Sequence, residues 1–190
     1  REQELTYSVV KKLGIFQLTN NVDSTTTHVV CGEPRRTLNV LQAIARGCWV
    51  LKKEWVLESL ESGEWLEEDK YEMDADFPAA KKSRLERQKA GVLYKMDLFS
   101  KKGPIYVSDN CTPKRTDVVH LINLCCGHVT GSKVRAALHI GDKHDPEKIM
   151  IRPTWVLDCI MKMETLDVSS EQYIVPPPTA SSQRECSPEF

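Results

Sequence analysis

The sequence has no excess of charge of either sign: 26 Lys and Arg stand against 27 Asp and Glu in 190 residues, a formal net charge of -1. So small a net charge neither steers the whole molecule to nucleic acid nor repels it, and any charge recognition has to be local. Long hydrophobic runs are missing too. No stretch approaches the roughly 18 to 20 apolar residues that span a bilayer, and the residues from Arg1 onward are too polar for a signal peptide. Neither membrane insertion nor secretion is expected. There is no G-x-G-x-x-G and no C-x-x-C, and no Ser, Cys or carboxylate spacing suits nucleophilic or acid–base catalysis. The chain is therefore not read as an enzyme, and no cofactor or metal is expected. Its seven cysteines are an odd count without an export signal, which reads as reduced thiols of the cytosol or nucleus.

What is present is the profile of a soluble globular protein, 41% hydrophobic and 28% charged, long enough for one domain or two small ones. An internal repeat decides for two. Trp55-Val56-Leu57-Glu58-Ser59-Leu60 and Trp155-Val156-Leu157-Asp158-Cys159-Ile160 are copies of one helical pattern 100 residues apart. Upstream, Thr27 to Gly32 corresponds to Ala137 to Gly141, each a β-branched run stopped by Gly, and Val10 to Gly14 corresponds to Leu124 to Gly127.

In the first copy, Leu5, Val9, Val10 and Leu13 have the spacing of a helix face, and Gly14 sits where a glycine cap would end it. A short strand is predicted over Ile15 to Leu18, another ending at Val30, a second helix over Thr37 to Ala45, a buried strand at Trp49-Val50-Leu51, and a third helix over Glu54 to Leu60. The second copy repeats the order with a strand at Ile105 to Val107, a helix from Pro113 to Cys126, strands near Val129, Leu138 and Ile149 to Ile151, and the helix at Trp155. Val-rich strands separated by helices indicate an α/β fold, a small parallel sheet flanked by helices in each copy.

The spacings add detail. Gly32 to Trp55 is 23 residues, whereas Gly141 to Trp155 is 14, so the middle helix is expected to be shortened or missing in the second copy. Ser108 precedes Gly127 by 19 residues, and the same count back from Gly14 falls before residue 1, so the first copy is expected to be without its opening strand in this chain. The predicted organisation is a first repeat over 1–78, a basic linker over 79–102, a second repeat over 103–175 and a disordered tail over 176–190. Residues 81 to 102 carry eight Lys or Arg, after ten acids and one Lys between Glu54 and Asp76, and read as a solvated connector.

Thr25 to Val30, Arg36-Thr37-Leu38, Ala45 to Val50 and the paired Trp55 and Trp155 signatures resemble the BRCT family, and a tandem pair of such repeats covers the chain to about Val175. Arg36 to Leu41, Ile44 to Leu51 and Phe77 to Ala80 are similar to the C-terminal pair of one vertebrate member. The resemblance implies a phosphoserine-peptide-binding adaptor of the DNA-damage response that reads a phosphorylated histone tail, a phosphoserine with Tyr or Phe three residues on and a free C-terminus. It implies a nuclear protein, at chromatin and with the centrosome as a second location. It further implies that Thr37 and the residue two positions on, here Asn39 in place of the family's Lys, meet the phosphate. Arg36 takes the peptide main chain or its terminal carboxylate, and Leu41 lies at the lip of a second pocket between the repeats. The family's Ser/Thr-Gly element, which also holds phosphate, would lie before Arg1. An extended peptide covers about 10 Å over three residues, so two repeats can read one short motif. The partners implied are the phosphorylated histone tail and other phosphoserine peptides, with weak or no direct nucleic acid, no membrane, and a monomeric chain. Arg36 could instead pair with the acidic face from Glu58 to Asp69.

Two alternatives for the whole chain are a DNA-end-binding pair using the basic segment and a dimerising scaffold. Trp49, Trp55 and Trp155 read as core, and His28 and His139 as satisfied strand residues. Cys125, Cys126 and His128 lack the paired spacing of a zinc site, and Thr130-Gly131-Ser132-Lys133 lacks that of a phosphate loop. Ser187-Pro188-Glu189-Phe190 has a Ser three residues before a terminal aromatic and could act as a ligand mimic; a chance match is the simpler account.

Overall fold

The computed structural model describes residues 2–178. The chain divides into two compact units, one running to Leu98 and taking in Cys159–Glu164, the other starting at Phe99 and resuming at Thr165.

The first unit begins with α1 (Glu2–Leu13), which buries Val9 completely and ends as its glycine predicts. Gly14 is left-handed at φ 71°, and its N–H closes on the Val10 carbonyl at 2.9 Å. β1 (His28–Cys31) and β2 (Trp49–Lys52) pair in parallel, His28 opposite Trp49 and Val30 opposite Leu51. Between them runs α2 (Leu38–Arg46), which buries Val40, Leu41, Ala43, Ile44 and Ala45 and stops at left-handed Gly47. α3 (Glu54–Ser62) follows β2 and turns Trp55, Val56 and Ser59 inward.

Aromatic rings gather around buried Trp55 in this unit. Trp55 and Trp65 stack at 4.7 Å, Phe16 meets Trp65 edge-on at 5.0 Å, and His28 lies parallel to Trp55 at 5.3 Å. The indole N–H groups are satisfied, Trp55 donating to the Leu66 carbonyl at 2.7 Å and Trp65 to the Gly14 carbonyl at 2.9 Å.

Two expectations change here. Ile15 to Leu18 form no strand: Ile15 is left-handed at φ 71° and 89% exposed, while Phe16 turns into the tryptophan cluster. A strand needs a neighbour for its N–H and C=O groups, and the first unit has no described strand in the place where the second unit supplies one. The basic segment also begins as structure and not as a solvated connector. It opens in α4 (Pro78–Ala90), whose small residues Ala79, Ala80 and Ser83 are buried, and which packs against α2 and β2. Ser83 donates its hydroxyl proton to the Ile44 carbonyl.

The second unit holds a four-stranded sheet in the order β4-β3-β5-β6, all pairs parallel, made of β3 (Pro104–Val107), β4 (His128–Val129), β5 (Leu138–Ile140) and β6 (Met150–Ile151). α5 (Arg115–Leu124) starts two residues after Pro113 and buries Val118, Leu121 and Ile122. α6 (Thr154–Lys162) carries the second tryptophan signature. Trp155 is fully buried, and its N–H reaches the Leu166 carbonyl at 3.0 Å. No helix joins β5 to β6, as the shorter spacing requires.

Trp55 and Trp155 are core, whereas Trp49 is half-buried beneath a guanidinium. His28 and His139 are partnered, by a Glu68 carboxylate oxygen at 3.0 Å and the Lys133 carbonyl at 2.8 Å. The Ser187 to Phe190 motif and the tail beyond residue 178 lie outside the described residues.

Candidate functional site

β1 and β2 run in parallel, so their carboxyl ends, Cys31 and Lys52, face one another in register at one edge of the first sheet. The chain leaves β1 through Gly32 to Arg36 and enters α2 at that edge. In an open parallel sheet this edge, where strands end and helices begin, is where ligands bind, because it gathers backbone N–H groups that no strand or helix uses.

Thr37 is the N-cap. Its backbone is extended (φ -86°, ψ 163°), and its Oγ1 accepts the Val40 N–H at 3.2 Å. That bond uses a hydroxyl lone pair and leaves the hydroxyl proton for a ligand. The amides of Leu38 and Asn39 belong to the first turn and have no carbonyl one turn earlier in the helix to donate to. α2 has no acidic residue in its first turn, so nothing there offsets the positive end of the helix dipole.

Arg36, Thr37 and Asn39 are all exposed at this end of α2. Arg35, next to them, donates from its Nε to the Glu33 carboxylate at 2.7 Å. Arg36 presents a planar fork of donors suited to a carboxylate or to one face of a phosphate. Asn39 adds an amide donor without charge. Leu41 is different. It is 1% exposed, in the inward row of α2 with Val40 and Ile44, so a ligand reaching it would have to displace packed side chains.

Two further residues belong to this edge. Lys52 ends β2, exposed and in register with Cys31, and supplies a cation that the Arg36-Thr37 motif alone did not reveal. Its signal in the sequence is its place at the end of a Val-rich run, where a parallel strand must finish. Cys31 contributes no charge, since burial pushes its thiol up to about 11. No group of three or more His, Cys, Asp and Glu able to hold a metal occurs among the described residues, Cys125, Cys126 and His128 included.

Comparison with known proteins agrees with this architecture. The sequence profile of the BRCA1 C Terminus (BRCT) domain matches residues 3–60. Microcephalin of Macaca fascicularis is 39% identical over 178 residues, 92% of this chain and 21% of the relative. Microcephalin of Mus musculus is 39% identical over 176 residues, 91% of this chain and 21% of the relative. The chain thus spans about a fifth of the length of these relatives. Among solved structures, Rtt107p in complex with a phosphorylated histone superposes with a TM-score of 0.61 at 12% identity, covering 90% of this chain and 85% of that one. The S. pombe Brc1 BRCT5-BRCT6 domains give 0.57 at 17% identity, covering 85% and 88%. Both similarities extend over the two units.

Proposed function

From the premise that this chain is a tandem BRCT pair resembling microcephalin, we propose that it is a phosphoserine-peptide-binding adaptor of the DNA-damage response. Its ligand is a phosphorylated histone tail in which the phosphoserine is followed three residues later by Tyr or Phe with a free carboxylate. Residues 1–78 and 103–175 are taken as the two repeats, joined through 79–102.

The observation that carries this reading is the N-terminus of α2. An exposed capping Thr37 with a spare hydroxyl proton and two first-turn amides stand where no first-turn acid opposes an anion, and the exposed Arg36 directly precedes the cap. A phosphoryl oxygen accepts from Thr37, the amides and the Asn39 side chain. Arg36 then holds the peptide main chain or the terminal carboxylate with two parallel hydrogen bonds. Because Asn39 brings no charge, affinity rests on the helix end, Arg36 and Lys52. A protein similar in fold is one whose solved structure is a complex with a phosphorylated histone, which supports a ligand of this class. A reader of phosphorylated histone works at chromatin, so the proposed location is the nucleus.

The test is fluorescence anisotropy with a labelled peptide ending pSer-x-x-Tyr, its unphosphorylated form and its C-terminally amidated form. Phosphorylation should strengthen binding at least tenfold, amidation should weaken it, and Arg36→Ala should cost at least tenfold. Equal affinity for the phosphorylated and unphosphorylated peptides would overturn the proposal. A duplex-DNA binder would instead ignore phosphorylation and lose affinity steeply with salt.

A further inference from the structure

The second unit carries a cavity that the α2 site does not involve. In the order β4-β3-β5-β6 the chain leaves β3 toward β4 on one side and then crosses to β5 on the other. The connections therefore diverge between β3 and β5, and a crevice is expected just beyond the carboxyl ends of those two strands.

The register shows what faces it. Tyr106 pairs with His139 and His139 with Met150, so these three stand level across β3, β5 and β6 and share one face. The alternate row, Val107, Ile140 and Ile151, lies on the other face and is buried to 0%, 0% and 3% exposure. In the first unit the connection between adjacent parallel strands is α2, which covers its sheet. In the second unit the equivalent connection, 141–149, has no helix. A cavity of about 220 Å³ remains, with Tyr106 and Met150 in its lining, Ser108, Asn110, Lys143 and His144 contributing polar groups, and the Lys133–Asp145 ion pair completing it. This is smaller than the roughly 300 Å³ at which pockets for drug-sized ligands begin, and suits a single small group.

Three features fit that group to an anion. Gly141 packs directly against two of the lining residues: a Cβ there would come within 2.9 Å of Ser108 Cβ and 2.7 Å of Met150 Cε, so the backbone approaches them closely only because it is glycine. The Ser108 hydroxyl accepts the Asn110 N–H at 3.3 Å and keeps its proton to donate. The one acid in the lining, Asp145, is neutralised by Lys133, which lines the cavity beside it, and the acids nearby are engaged too, Asp142 by the Thr112 N–H at 2.6 Å and Asp109 by Arg115 at 3.6 Å. Lys143 is exposed among them and lines the cavity.

We propose that this cavity is a second phosphoryl-binding site, in which Ser108, Asn110 and Lys143 donate to the oxygens of one phosphoryl group beside Tyr106 and Met150. A hydroxyl, an amide and an ammonium are all donors, and the ammonium adds the charge that an oxyanion needs. The group could arrive on a phosphorylated side chain or as free phosphate.

The experiment is a backbone-amide NMR titration of the whole chain with O-phospho-L-serine, inorganic phosphate and L-serine. The amides of Ser108, Asn110, Gly141 and Lys143 should shift saturably with the two phosphates and not with serine. Tighter binding of phosphoserine than phosphate supports a protein-borne group, and equal binding supports the free ion. Ser108→Ala and Lys143→Ala should each weaken binding at least tenfold with amide shifts elsewhere unchanged, while Arg36→Ala should leave these four shifts intact. Non-saturating shifts, equal response to serine, indifference to both pocket variants, or loss on Arg36→Ala would each overturn the proposal. Because the Arg36 variant separates the two units' sites, failure here leaves the α2 reading standing, and the reverse.

Discussion

Arg84 and Glu72 form a buried ion pair in which two guanidinium nitrogens, Nε and Nη2, donate to the two carboxylate oxygens at 2.7 Å each. Both residues are 4% exposed, and the guanidinium carbon lies 3.6 Å from the centre of the Trp49 ring. The pair joins α4 to the strand-like segment that bridges to Leu51, so a residue of the charged stretch secures the edge of the first sheet. Glu72→Ala strands a guanidinium away from water and should cost about 3–5 kcal/mol in urea unfolding of the first unit. Replacing both residues with apolar ones of similar size should cost much less. Equal loss in the two variants would show that packing, not the unpaired charge, governs.

Gly47 and Gly63 separate backbone strain from collision. Both are left-handed, at φ 67° and 80°, but a Cβ on Gly47 would lie 2.8 Å from Arg87 Cβ and 2.9 Å from the Ser83 carbonyl oxygen, whereas Gly63 has open space. Gly63→Ala should lose about 1 kcal/mol for its conformation alone, and Gly47→Ala distinctly more because α4 must move. Thermal unfolding of the two variants checks the order.

Thr37 has two duties that substitution can divide. Thr37→Ala removes the cap on Val40 and should destabilise the chain by about 1 kcal/mol while weakening phosphopeptide binding. Thr37→Ser keeps the hydroxyl and should preserve both. Loss of binding in Thr37→Ser would show that the methyl group, not the hydroxyl, matters.

His28 links stability to pH. Burial against Trp55 and Phe16 lowers its pKa below the ordinary 6.5, against the opposing pull of Glu68. The folded state therefore favours neutral His28, a contribution fully present above about pH 6.5 and lost as pH falls through the depressed value. Carboxylates such as Asp74, held below 3.8 by Lys81, lose their contribution only at lower pH. The urea midpoint followed by tryptophan fluorescence should fall between pH 7.5 and 5.5. His28→Gln should be less stable at pH 7.5 and show a smaller fall, and an undiminished fall would assign the effect elsewhere.

Much of this was readable in advance because it is local. The tryptophan signatures, the glycine stops and the differing distances from Gly32 to Trp55 and from Gly141 to Trp155 specified two α/β repeats and a middle helix shortened or missing in the second, where the structure has none. Thr37 ahead of an apolar periodic run marked a helix start, and the structure puts the cap there. α4 was hidden because its buried stripe is Ala79, Ala80, Ser83 and Arg84, residues whose small size or charge gives no hydrophobic period.

By itself, then, the sequence determined the helices that carry an apolar period, where the glycine-stopped ones end, and that the pattern occurs twice, since capping, glycine conformation and side-chain period act over a few residues. Tertiary structure alone decided the rest. Ile15 to Leu18 stay out of any strand because a strand depends on a partner distant in the chain, and Arg84 is buried because Glu72 and Trp49 are brought to it. Leu41 is sealed in the core by α2 packing, and the Ser108–Lys143 cavity exists only where parallel strands end without a helix to cover them. Pairing and burial are set by neighbours that spacing along the chain does not name.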